Sequence, residues 1–108
     1  MGKALSKNKG SAAFRVGFLN QKGIVVGKGT ITISRTKLEF ISKSKKQEYE
    51  WPLTTISRYG SANGTFTFEA VDSNEQSAMY CFTSSKTDRM EAFLDQKVQE
   101  YQKKQEKN

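Results

Sequence analysis

Between Ala13 and Thr83 the chain alternates apolar and polar residues in seven short runs, and after Ser84 the period lengthens to that of a helix. This change of period constrains the fold more than any single residue does. The runs are Ala13–Asn20 (Phe14, Val16, Phe18), Lys28–Arg35 (Ile31, Ile33), Lys37–Ser42 (Leu38, Phe40), Gln47–Trp51, Leu53–Tyr59, Thr65–Val71 (Phe66, Phe68) and Ser77–Thr83 (Ala78, Tyr80, Phe82). Successive side chains of a strand point to opposite faces, so each run has one face to bury. Between the runs lie Gln21–Gly27, the basic turn Lys43–Lys46, the turn residues Gly60–Gly64 and the polar loop Asp72–Gln76. Met90, Phe93, Leu94, Val98 and Tyr101 then share one stripe, which predicts a helix from about Lys86 to Lys103. Ser84 or Ser85 offers an N-cap, and Asp88 and Glu91 lie near the positive end of the helix dipole. The expected fold is mostly β with one C-terminal helix. Seven strands form a two-sheet sandwich or a partly open barrel, capped by the helix.

Length predicts one domain, residues 13–104, between a flexible leader (1–12) and a frayed tail (105–108). A domain of this size supports a single core without staples. The lone Cys81 excludes an internal disulfide framework and fits a reducing compartment, so a cytoplasmic setting is expected. The chain has no histidine, no Gly-rich phosphate loop and no cysteine cluster. Catalysis, a metal and a cofactor are therefore not expected. No run is apolar enough to span a membrane as a helix. The net charge of +7 favours an acidic partner. The aromatics sit at core-like alternating positions and are not interleaved with basic residues on one face, so nucleic acid is not expected. A monomer is expected.

The first residues, Met1-Gly2-Lys3-Ala4-Leu5-Ser6, fit the pattern for acylation of Gly2. One myristoyl chain holds a membrane only marginally. Lys3, Lys7 and Lys9 would add about 1 kcal/mol each near an anionic leaflet. Together they predict residence at the inner face of the plasma membrane.

Pro52 has no N–H for a ladder and belongs at a strand start or on an edge strand. Edge strands expose backbone groups that a partner peptide can join. The stretch Trp51-Pro52-Leu53, Ile56-Ser57-Arg58-Tyr59-Gly60, Thr65-Phe66-Thr67-Phe68-Glu69-Ala70 resembles the insulin-receptor-substrate type of phosphotyrosine-binding domain. The Tyr80-x-Phe82 strand and the Met90/Phe93/Leu94 helix follow in the family order, and the likeness covers about residues 13–101. With the acylation-like start, the pattern is most similar to the fibroblast growth factor receptor substrate adaptors, and next to the downstream-of-kinase adaptors. The resemblance implies a pleckstrin-homology-like superfold and an adaptor that captures a receptor or signalling-protein peptide. Such a peptide carries an Asn-Pro-x-Tyr-like turn and adds to the fifth strand. Carried onto this chain, the strand side of the groove comes from Leu53, Thr55, Ser57, Arg58 and Tyr59. The helix side comes from Met90, Phe93, Leu94 and Lys97, with Phe93 and Leu94 mainly in the core and Met90 and Lys97 nearer the rim.

The family's phosphate site does not carry over. The first arginine of its doublet is Ser57 here, and Asp72 stands where a second arginine follows the Phe-x-Phe-Glu element. Losing two charge-assisted contacts would remove roughly 3–6 kcal/mol, at about 1.5–3 each. The expected peptide binding therefore does not require phosphotyrosine. Strand alternation predicts that Arg58, the second member of the doublet, points away from the Ser57 face and makes a structural ion pair or a bond to a loop carbonyl. Two alternatives stand beside this reading. One is phosphotyrosine binding through a displaced basic pocket, with Arg15, Arg35 or a lysine of the 43–46 turn as its source. The other is a phosphoinositide- or anionic-membrane-binding surface formed by Arg15, Lys22, Lys28, Lys43, Lys45 and Lys46, around the apolar residues of Gly23–Gly27.

Overall fold

The alternating runs join into one continuous antiparallel ladder. The structure, a computed structural model, describes residues 10–44, 47–71 and 74–107. Its elements are β1 (Ser11–Leu19), β2 (Val25–Ser34), β3 (Lys37–Ser42), β4 (Glu48–Pro52), a 3₁₀ turn (Leu53–Thr55), β5 (Ile56–Ala62), β6 (Thr65–Val71), β7 (Ser77–Thr83) and the helix α1 (Thr87–Lys107). The strand order is β4-β3-β2-β1-β7-β6-β5. Gly2, Lys45, Lys46 and Asp72 lie outside the described residues.

The ladder curls strongly. Trp51 on β4 is five strands from Phe68 on β6, which is about 24 Å across a flat sheet. Yet the Trp51 ring lies 4.9 Å from the rings of both Phe68 and Tyr80. The two ends of the sheet therefore approach each other around a shared core. Of the two arrangements the alternation allows, the partly open barrel is the one formed. A cavity of about 390 Å³ lies between β4 and the β6–β7 strands, lined by Trp51, Pro52, Ala70 and Tyr80. The core holds Ile31, Ile33, Leu38, Phe40, Phe66, Phe68 and Phe82 from the strands and Met90 and Leu94 from α1. Burying one such side chain contributes about 1.5–3 kcal/mol. Gly29 is required where β2 and β3 approach closely, since a Cβ there would sit 2.2 Å from the Ile41 carbonyl oxygen.

β3, β6 and β7 have the bounds their alternation predicts, and other boundaries move for local reasons. β2 begins at Val25, not Lys28, because Gly27 and Val25 pair with Phe18 and Leu19. β5 begins at Ile56, not Leu53. The Leu53 N–H donates to the Thr36 carbonyl and Thr55 Oγ1 donates to the Pro52 carbonyl, so the chain turns there. Gly60–Ala62 are strand, not turn. The reversal needs only Asn63 (φ 54°) and Gly64 (φ 77°), the pair of positive φ values that a two-residue type I′ hairpin requires. The helix starts after Ser84 Oγ accepts the Lys86 N–H, and it runs to Lys107.

Candidate functional site

An open barrel has two edge strands, and they differ. β4 ends in Pro52 and carries Glu48 and Glu50, devices that blunt an edge. β5 has no proline and lies beside α1. Three side chains of the helix reach across to it. Tyr59 Oη donates to Asp95 Oδ1 at 2.6 Å. Ser61 Oγ donates to Glu91 Oε1 at 2.6 Å and to Asp88 Oδ1 at 3.1 Å. The Ser61 backbone N–H also donates to Glu91 Oε1, at 3.1 Å. An antiparallel ladder alternates inward and outward backbone groups, so those of Tyr59 face the same open side as Ser61. Burial against the helix, and then the Asp95 carboxylate, push the Tyr59 phenol well above its ordinary value.

At the start of β5 the register slips between Ile56 and Arg58. This bulge breaks the alternation, so Ser57 and Arg58 turn to the same side. Ser57 Oγ donates to Glu69 Oε1 at 3.2 Å, and Arg58 Nε donates to that same oxygen at 3.0 Å. The expectation that Arg58 points away from the Ser57 face is thus corrected. Arg58 foremost, and Ser57 next, hold the Glu69 carboxyl below the usual carboxylate range. Arg58 is exposed, so its ion pair is screened and adds little stability. Its effect is to fix a carboxylate beside Ser57.

The helix presents a different flank from the one expected. Met90 and Leu94 are fully buried and Lys97 is 3 % exposed, so Met90 and Lys97 are not rim residues. Lys97 Nζ lies 5.0 Å from the Phe93 ring centroid and 3.3 Å from Glu100 Oε1. Phe93 lies two residues, about 200°, from both Glu91 and Asp95, which puts it on the flank away from β5. The residues facing the edge are Asp88, Glu91 and Asp95. Their i, i+3, i+7 spacing was readable as one acidic stripe, but nothing local says that β5 lies under it. Leu53 and Thr55 belong to the 3₁₀ turn and offer no ladder edge.

The basic residues divide. Arg15, Lys28 and Lys43 line one cavity of about 630 Å³ on the outer face of β1–β3, and Lys22 sits in the turn beyond it. Arg35 is at the opposite end of these strands, after Ser34, which pairs with Ser11. Since β1 is three strands from β5 in the ladder, this cluster is not part of the β5 edge. Among the described residues no group of three His, Cys, Asp or Glu side chains forms a metal site.

Comparison with protein-family models matches the PTB domain (IRS-1 type) over residues 19–102. It spans more than three quarters of the chain, from the end of β1 through most of α1. A search of curated proteins returned no match.

Proposed function

The chain belongs to the PTB domain family of the IRS-1 type, and from that premise we propose that its β5 edge takes up an extended Asn-Pro-x-Tyr-like peptide without requiring phosphotyrosine. Domains of this family are protein-interaction modules that bind peptides of receptors or signalling proteins. The chain is an adaptor module of that kind.

The observation that carries the finer reading is Glu69. A phosphotyrosine brings between one and two negative charges and needs guanidinium forks to hold them. Where the family's first phosphate-gripping arginine would stand, Ser57 donates to a carboxylate that Arg58 keeps ionised. A phosphate arriving there finds no guanidinium fork at Ser57, and Arg58 beside it is already engaged by Glu69. The backbone edge remains usable, because main-chain bonds to an added strand do not depend on phosphorylation. The edge groups of Tyr59 are the natural start of that ladder. Extension to Ser61 requires Glu91 to release the Ser61 N–H. The acidic flank formed by Asp88, Glu91 and Asp95 would favour a Lys or Arg of the peptide facing α1.

The test is a titration of isotope-labelled protein with one receptor-tail peptide in phosphorylated and unphosphorylated forms, followed through amide shifts. Affinities within twofold of each other, with shifts along Ile56–Ala62 and α1, are expected. A gain of tenfold or more on phosphorylation, about 1.4 kcal/mol, would defeat the argument from Ser57 and Glu69.

A further inference from the structure

The β1–β2 hairpin carries an apolar tip that the rest of the molecule covers only in part. Ile24, Val25 and Val26 are 58 %, 43 % and 54 % exposed. Among the described residues they are the only consecutive large apolar side chains left in solvent. The turn that presents them is tied. The Asn20 N–H donates to the Ile24 carbonyl, and Asn20 Oδ1 accepts the N–H groups of Lys22 at 2.8 Å and Ile24 at 3.0 Å. Gly23, at φ +80°, permits the reversal. Little ordering remains to be done when such a tip meets a partner.

Cations surround it. Behind the tip, two adjoining cavities of about 370 and 630 Å³ share Lys28, Ser42 and Lys43. The smaller reaches Val26 and the larger adds Arg15 and Ile41. Lys22 stands in the turn itself. Among the described residues none of Arg15, Lys22, Lys28 and Lys43 joins an ion pair. The nearest carboxylates by register are Glu39, opposite Thr32 toward the far end of β2, and Glu48, opposite Ile41 on the β4 side of the larger cavity, and neither is ion-paired to these cations.

We propose that this end of the domain docks on an anionic lipid membrane. Ile24, Val25 and Val26 enter the boundary between head groups and acyl chains, and Lys22, Lys28, Lys43 and Arg15 meet lipid phosphates. The shape and the charge together select this partner. The apolar surface is a convex wedge, which a bilayer interface yields to. The flanking side chains are long enough to lay their stems on apolar surface while their charges stay among phosphates. Attraction of this kind is charge-driven and does not depend on head-group stereochemistry. It uses none of the β5 edge, so it stands or falls separately from the peptide reading.

The test uses the full chain without an acyl group, with Lys3, Lys7 and Lys9 changed to Ser so that the leader adds no charge. It is sedimented with vesicles of phosphatidylcholine alone or mixed with phosphatidylserine. Binding to the mixed vesicles only, weakening as salt rises, is expected. I24S/V25S/V26S and, separately, K28E/K43E should each lower the partition at least tenfold, whereas K86E/R89E, beside the start of α1, should not change it. Binding of the triple serine variant equal to that of its parent would overturn the wedge. Equal partition onto neutral vesicles, or none onto either, would overturn the docking altogether. Competition at equal molarity by one soluble inositol phosphate would replace it with a specific head-group pocket. Heparin binding as tight as vesicle binding, and indifferent to the serine changes, would reduce the surface to a general polyanion site.

Discussion

At the scale of single residues, the chemistry turns on one carboxylate. Glu69 accepts from both Ser57 and Arg58, and the bulge in β5 is what lets both reach it. Installing the missing arginine should therefore work only if the carboxylate is also neutralised. Ser57→Arg alone is expected to spend its guanidinium on Glu69. Ser57→Arg with Glu69→Gln should give at least a tenfold preference for the phosphorylated peptide, in line with about 1.5–3 kcal/mol per charge-assisted contact. Calorimetric titration of the two variants with the peptide pair checks this. Tyr59 offers a second residue-scale test. Its raised pKa means that the neutral phenol is the form the folded state prefers, through burial and then Asp95. The resulting stability is fully present below the ordinary tyrosine value of 10.0 and is lost as pH climbs from there toward the folded value. In an ultraviolet titration Tyr59 should ionise well above the ordinary tyrosine value of 10.0. Asp95→Asn should bring its titration down, and Tyr59→Phe should remove it. Tyr59 ionising at the ordinary tyrosine value of 10.0 in the folded protein would contradict the burial and the Asp95 bond.

At the scale of elements, β5 and α1 form one unit that is bridged before any peptide arrives. Glu91 holds the Ser61 N–H that a strand-adding peptide would need at that point. Releasing it costs the free protein a hydrogen bond and gives the peptide one. Glu91→Ala should therefore raise the affinity of a peptide long enough to reach Ser61 by roughly 1 kcal/mol, about fivefold, and leave a peptide that stops at Tyr59 unchanged. Paired titrations with the long and short peptides measure the difference. An equal change for both would mean that Glu91 acts on the whole edge or on the fold. The strands themselves were legible, with β3, β6 and β7 readable to the residue from Leu38/Phe40, Phe66/Phe68 and Tyr80/Phe82. β5 was not, because its start depends on the Thr36 carbonyl holding Leu53 and its bulge depends on pairing with β6.

At the scale of the whole molecule, stability depends on how far the sheet curls. Trp51 packs from the edge strand β4 onto Phe68 and Tyr80, so it draws together ends of the sheet that are not neighbours in the ladder. Trp51→Ala should cost about 3–5 kcal/mol, read from urea unfolding, whereas an exposed outer-face change such as Met79→Ala should fall within about 0.5 kcal/mol. A loss below about 1 kcal/mol for Trp51 would mean that the ends of the sheet are held by other contacts. The strand faces, the helix stripe and the buried aromatics were legible in the chain alone, because burial from one side imposes a period that any local window displays, and the family was legible in the motif that runs from Trp51 to Ala70. Which residues meet was not legible there, because it follows from the folded arrangement. It set the acidic flank of α1 against β5 in place of Phe93 and Lys97. It brought Ser57 and Arg58 to one oxygen of Glu69, and it gathered Arg15, Lys28 and Lys43 from three separate segments behind one apolar tip. Those meetings depend on strand order, register and curl, which join residues far apart in the chain and leave no period to read.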